Sequence, residues 1–238
     1  MVALHLDLAM ELMPPEDFAR WAAARAIAVD VESARKPPSH WPSDVDYQDG
    51  KSESRFWSYP EGAGKNKRMF VALLGLLSVD SSFVVWPDAS GFCSFDNKLD
   101  NTQFPVDSPF RPYINAKTPG ALVVPAAMVM ELADFLVFVA DIAVHAWHDV
   151  TVMPYDGSVI LKFSHHDVVW AYTRDKLHLE SLITEMADRQ YPLPTEYPDS
   201  TFKPQPWMDA RLTDTPEPRG PFPRMLARLS ELFSRRRS

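Results

Sequence analysis

The sequence of 238 residues contains a single cysteine, Cys93, and so lacks the pair that an internal disulfide needs. Nothing in the cysteine content therefore suggests an oxidising compartment. The most apolar segment, residues 121–147, contains Glu131, Asp134 and Asp141. Each acidic residue near the centre of a spanning helix costs about 2.5–3.5 kcal/mol, so we expect no transmembrane segment. Residues 1–13 lack the basic start and apolar run of a signal peptide, and we therefore expect a cytoplasmic protein.

Recognisable catalytic motifs are also missing from the sequence. It contains no Gly-x-Ser-x-Gly, Cys-x-x-Cys or dinucleotide-binding pattern. The glycine-rich segment 62–66 departs from a phosphate-binding loop, because Tyr59 and Asn66 stand where that loop needs a glycine and a serine or threonine. We therefore assign no catalytic residue and expect no organic cofactor. Catalytic groups can be distant in sequence, so an enzyme stays among the alternatives.

Charge is divided unevenly along the chain. Residues 219–238 contain six arginines and one glutamate, a net charge of +5, whereas the net charge of the whole chain is −8. The preceding 218 residues therefore carry 18 basic and 31 acidic side chains, a net charge of −13. Such an acidic body repels phosphate backbones, so we expect no nucleic-acid binding by it. Its charge is suited to solubility or to a basic protein partner.

Hydrophobic patterning predicts an α+β fold, in which a small antiparallel sheet packs with about four helices. The clearest element is a three-stranded meander at about 150–173, with Asp156-Gly157 as its first turn and Leu161, Phe163, Trp170 and Tyr172 on one core face. The other predicted elements are a strand at 2–8, helices at about 15–34, 65–79, 125–147 and 174–190, a strand at 83–86, and an irregular stretch at 35–60. Leu177, Leu182, Ile183 and Met186 are predicted to form the apolar face of the last helix.

The predicted domain organisation is a single globular domain over residues 1–190, with a subdivision near 96–120 as the alternative. Residues 96–120 lack periodicity and form a candidate lid or contact loop. Residues 191–223 are predicted to be a proline-rich linker, because nine prolines fall within 192–223.

Residues 224–238 are predicted to be a flexible, basic amphipathic helical tail. Met225, Leu229, Leu232 and Phe233 lie on one face of this helix and are candidate partner-binding residues. With about four large apolar residues, the tail is expected to make only weak contact with an anionic membrane.

A candidate metal site lies on the predicted helix 125–147. Asp141, His145 and His148 have the spacing i, i+4 and i+7, which places them on one helix face. Carboxylate and imidazole ligands suit zinc or iron, and His165 or His166 is the candidate additional ligand. The alternative without a functional role is a solvent-exposed polar stripe that runs from Glu131 to His148.

Loop aromatics supply the other candidate binding residues. Aromatic and arginine side chains dominate binding hot spots, and Phe110, Arg111 and Tyr113 combine both in one segment. The leading hypothesis is therefore a non-catalytic intracellular factor that binds another protein, as an adaptor, inhibitor or immunity-type protein does. The alternatives are a metal-dependent hydrolase that uses Asp141, His145 and His148, and a structural subunit of a larger assembly.

Overall fold

An antiparallel sheet of seven strands forms the centre of the computed structural model. The structure describes residues 9–29, 45–60, 62–77, 82–87, 106–116, 120–138, 149–164 and 167–195. All of them belong to one compact unit, Met1–Pro198. Helices and strands are both well represented, so the predicted α+β class is confirmed, with a larger sheet than expected. The predicted tail 224–238 and all but residues 191–195 of the linker 191–223 lie outside the described residues, as does the predicted strand at 2–8.

The strands of the described residues form two sheets. The larger sheet contains β1 (Glu11–Met13), β4 (Glu53–Ser58), β5 (Phe83–Pro87), β6 (Ala121–Val124), β7 (Val150–Pro154), β8 (Ile160–Ser164) and β9 (Val168–Thr173). Its order is β1-β6-β5-β7-β8-β9-β4, with antiparallel pairing throughout. The smaller sheet pairs β2 (Ile27–Ala28) with β3 (Asp46–Tyr47).

Five α-helices are present in the described part of the chain. They are α1 (Pro15–Ala23), α2 (Ala63–Leu77), α3 (Arg111–Ala116), α4 (Val129–Val137) and α5 (Lys176–Asp188), and a 3₁₀ turn at Ala126–Met128 precedes α4. Asp175 caps α5, because its carboxylate accepts hydrogen bonds from the backbone N–H groups of Leu177 and His178 at 2.9 and 3.2 Å. None of the helices in the described ranges has both the length and the apolar character needed to cross a bilayer.

The sheet buries both of its faces in separate cores. Helices α2, α4 and α5 cover the first face, where Phe70 meets Phe163 edge-to-face with ring centroids 4.9 Å apart. Helix α1 covers part of the second face, where Phe18 stacks on Trp86 with ring centroids 4.3 Å apart. The position of α1 therefore determines which part of the second face is closed.

Elements with strong local patterns agree with the sequence predictions. The meander is β7-β8-β9, and Gly157 of the Asp156-Gly157 turn has φ +74°, a conformation that glycine adopts without strain. Helices α2 and α5 and strand β5 also occur where they were predicted. The predicted helix at 125–147 is confirmed from residue 126 to residue 137, and residues 139–148 lie outside the described residues.

Two predictions at the N-terminal side are wrong. Residues 53–58 are not irregular but form β4, whose six residues pair with β9. The first helix does not continue to about residue 34 but ends at Ala23, and Ala26 adopts φ +53° in the turn that follows. Long-range contacts explain both differences. Strand β4 is formed through its pairing with β9. At the end of the first helix, the carbonyl oxygen of Ala26 accepts hydrogen bonds from the backbone N–H of Gln48 and from the guanidinium of Arg174.

The face assignments in the meander and in α5 also need correction. The register pairs Lys162 with Trp170, whereas Phe163 pairs with Val169. Since residues paired across strands share a face, Trp170 and Tyr172 point away from the core that contains Leu161 and Phe163. In α5, Leu182 and Met186 are buried as predicted, but Leu177 in the first turn is 75% exposed.

Gly120 has φ +122°, and a Cβ added there would lie 2.4 Å from the carbonyl oxygen of Met13. We expect Gly120→Ala to lower the free energy of unfolding by about 2–3 kcal/mol, because the strained backbone and the clash add. Gly75 in α2 is the matched control, since a Cβ there meets no atom within 4 Å. Gly75→Ala is expected to raise the free energy of unfolding by about 0.5–1 kcal/mol. Urea unfolding measures both, and equal effects would contradict the account.

Candidate binding cleft

A surface cleft of about 580 Å³ opens beside α1, at the end of the sheet where β1, β6 and the β7–β8 turn come together. We call it the α1 cleft. Its lining comes from β1, α1 and the ends of three further strands: Glu11, Leu12, Met13, Asp17, Trp21, Ser82, Val123 and Tyr155. The volume falls within the range of about 300–1,000 Å³ that is typical of ligand sites.

Helix α1 forms one wall of the α1 cleft. Pro15 occupies its first turn, where a missing N–H costs nothing, and Glu16 and Asp17 place negative charge at the positive end of the helix dipole. Phe18 is fully buried against the sheet. One turn further on, the indole N–H of Trp21 donates to the carbonyl oxygen of Tyr155 at 3.1 Å, which ties the helix to the β7–β8 turn.

Arg25 also holds α1 against the β7–β8 turn. Its guanidinium carbon lies 4.7 Å from the ring centroid of Trp21 and 5.2 Å from that of Tyr155, so both aromatic rings attract the cation. Nε donates to the carbonyl oxygen of Tyr155 at 2.7 Å, and Nη1 donates to that of Trp21 at 3.0 Å. One arginine therefore joins α1 to the turn through two rings and two carbonyl groups.

A second arginine holds the turn between α1 and β2. Arg174 donates from Nη2 to the carbonyl oxygen of Ala26 at 2.7 Å and from Nη1 to that of Arg25 at 3.3 Å. Its guanidinium carbon lies 4.4 Å from the ring centroid of Tyr47. The backbone N–H of Lys51, together with the guanidinium of Arg174, keeps the pKa of Asp49 below its ordinary value.

Tyr47 connects the small sheet to the large one. It is 4% exposed, and its hydroxyl group donates to the carbonyl oxygen of Gly157 at 3.0 Å. Burial raises the pKa of the Tyr47 phenol well above its ordinary value of 10.0. The protonated phenol is therefore the form that the folded structure accommodates.

Apolar surface is exposed at the mouth of the α1 cleft. Among the described residues, five large apolar or aromatic side chains are exposed, and one of them, Tyr155 at 42%, lines this site. Leu12 is also exposed, but it pairs with Leu122, so its side chain lies on the other face of the sheet. Glu11 pairs with Val123 on the face of α1 and has no ion-pair partner within the described ranges, whereas Asp17 pairs with Arg20. Apolar surface next to a carboxylate is an arrangement that suits an amphipathic ligand.

The predicted metal ligands Asp141, His145, His148, His165 and His166 all lie outside the described residues. The described residues of the polar stripe differ in their exposure to solvent. Glu131 is exposed, and Asp134 forms an ion pair with Lys67, with 2.6 Å between Oδ1 and Nζ. Phe138, in contrast, is buried in the core. No group of three histidine, cysteine or acidic side chains in the described ranges is arranged to hold a metal ion.

The predicted contact segment 110–113 lies partly in the core. Phe110 is fully buried and stacks on Phe135, with ring centroids 4.5 Å apart, so its side chain offers no surface to a partner. Arg111 and Tyr113 are half-buried, and the Tyr113 hydroxyl group donates to the carbonyl oxygen of Met10 at 3.0 Å. These two stay predicted contact residues, whereas Met225, Leu229, Leu232 and Phe233 of the tail lie outside the described residues.

The α1 cleft was missed in the sequence because its lining comes from distant segments. Leu12, Trp21 and Tyr155 share no motif and meet only through the sheet order. One local signal was available: Tyr155 stands directly before the Asp156-Gly157 turn, a position at the surface of a hairpin.

Comparisons with protein-family models, with curated proteins and with solved structures gave no match for this chain.

Alkaline pH tests the environment of Tyr47. The folded state keeps this phenol protonated at a pH where the unfolded chain, with a phenol pKa of about 10, releases the proton. The folded state then binds more protons, so the free energy of unfolding falls as the pH rises above about 10. Tyr47→Phe is expected to make this fall shallower, and at neutral pH to cost about 1 kcal/mol for the lost hydrogen bond.

The measurement is urea unfolding of both proteins between neutral pH and pH values above 10, with the exposed Tyr155→Phe variant as the matched control. Equal alkaline slopes for the wild-type and Tyr47→Phe proteins would contradict the assignment.

Proposed function

We propose that this protein is a non-catalytic protein-binding factor and that the α1 cleft is its binding surface. The observation that supports the proposal is the exposed aromatic side chain of Tyr155 in one concave site with carboxylates at its rim. Binding surfaces combine an apolar centre with polar groups around it, and aromatic residues such as tyrosine are enriched in them.

The construction of the wall supports the same proposal. Arg25 and the indole of Trp21 both bind the Tyr155 carbonyl group, so the backbone of the β7–β8 turn is held before any partner arrives. A surface ordered in advance loses little conformational entropy on association. We propose the cytoplasm as the compartment in which the protein meets its partner.

Partner capture tests the proposal. The tagged full-length protein is used to capture binding proteins from extracts of its source organism, in wild-type form and as the Tyr155→Ser variant. We expect this variant to lose the partner by about tenfold or more, as truncation of a central contact residue typically does. Leu177→Ser is the matched control, because Leu177 is 75% exposed and lies on α5, outside the α1 cleft.

Thermal unfolding of each variant establishes that it is folded. If the same protein is captured equally by the wild-type and Tyr155→Ser proteins, the α1 cleft is not the binding surface.

A further inference from the structure

Among the described residues, the lining of the α1 cleft contains acidic side chains and no basic one. Glu11 and Asp17 supply two carboxylates, and the other described lining residues are apolar, aromatic or a single serine. Val123, which pairs with Glu11 on the same face of the sheet, provides aliphatic surface beside it. This combination suits a group with an aliphatic stem and a cationic end.

The aromatic wall already holds a cation of this kind. The guanidinium carbon of Arg25 lies 4.7 Å from the ring centroid of Trp21 and 5.2 Å from that of Tyr155. Tyr155 nevertheless stays 42% exposed, so part of its side chain is open to the α1 cleft and not covered by Arg25. The contact of Arg25 shows that the rings of Trp21 and Tyr155 can bind a guanidinium group through cation–π interactions. An aromatic ring can make such a contact on either of its two faces.

We propose that the α1 cleft binds an arginine side chain from a basic segment of a partner protein. The guanidinium would pair with the Glu11 carboxylate in the cleft that Tyr155 also lines, and the methylene groups would lie on Val123, which pairs with Glu11 on the same face of the sheet. The net charge of −13 over residues 1–218 favours the approach of a basic segment. This inference rests on the proposed function and names the chemistry that the partner presents.

Arg20 would compete with the guanidinium of the ligand for the Asp17 carboxylate. It pairs with Asp17 at the rim, and the two side chains are 76% and 48% exposed. This pair neutralises one of the two carboxylates of the α1 cleft and leaves Glu11 as the uncompensated charge. Removal of Arg20 therefore frees Asp17 for an incoming guanidinium, so two substitutions in one site should shift the affinity in opposite directions.

The experiment is an NMR titration of the full-length protein, followed through the indole N–H signals, with the acetylated and amidated pentapeptide Ala-Leu-Arg-Leu-Ala. We expect Glu11→Gln to raise the Kd by about two- to fivefold and Arg20→Gln to lower it by a similar factor, the range of single surface charge contacts. Glu131→Gln is the matched control: it makes the same charge change at an exposed position on α4, at the other face of the sheet. A peptide with citrulline in place of arginine keeps the shape without the charge and is expected to bind at least about threefold more weakly.

The outcomes separate this inference from the proposed function. Equal effects of Glu11→Gln and Glu131→Gln, an unchanged Kd for Arg20→Gln, or equal binding of the citrulline peptide would each overturn the arginine assignment. If Tyr155→Ser loses the captured partner while Glu11→Gln and Arg20→Gln do not alter its capture, the binding surface stands and the assignment of its ligand is wrong. If no cleft variant alters capture, both proposals fail.

Discussion

The stack of Phe18 on Trp86 is the contact on which the rest of the second face depends. It places α1 over the centre of the sheet, and with it Asp17, Trp21 and Arg25 reach their positions. The stack forms although the indole nitrogen of Trp86 is buried and has no hydrogen-bond partner among the described residues. An unsatisfied buried donor costs about 1–3 kcal/mol, so ring packing outweighs this cost at Trp86.

Two arginines then hold α1 in place as one wall of the α1 cleft. Arg25 and Arg174 bind carbonyl groups of the α1–β2 turn and of the β7–β8 turn, and each also lies over an aromatic ring. Charged donors of this type satisfy backbone groups that no strand or helix pairs. The result is a rigid wall next to the exposed side chain of Tyr155, which is the combination on which the proposed binding function rests.

The parts of the fold that follow from nearby residues could be predicted from the sequence. The meander with its Asp156-Gly157 turn and helices α2 and α5 have periodicity and turn residues within one segment. Strand β4 could not be predicted, because only Trp57 among its six residues is buried and its pairing with β9 bridges more than a hundred residues. The α1 cleft escaped prediction for the same reason, since its walls are assembled by sheet order.

The most direct test of this account is a double-mutant cycle on Phe18 and Trp86. The free energies of unfolding of the wild-type, Phe18→Leu, Trp86→Leu and doubly substituted proteins give the coupling energy of the two rings. We expect the double substitution to lower the free energy of unfolding by about 0.5–1.5 kcal/mol less than the sum of the two single effects, because either single substitution already removes the contact between the rings. Strictly additive effects would contradict it, because α1 would then be held over the sheet by some other contact.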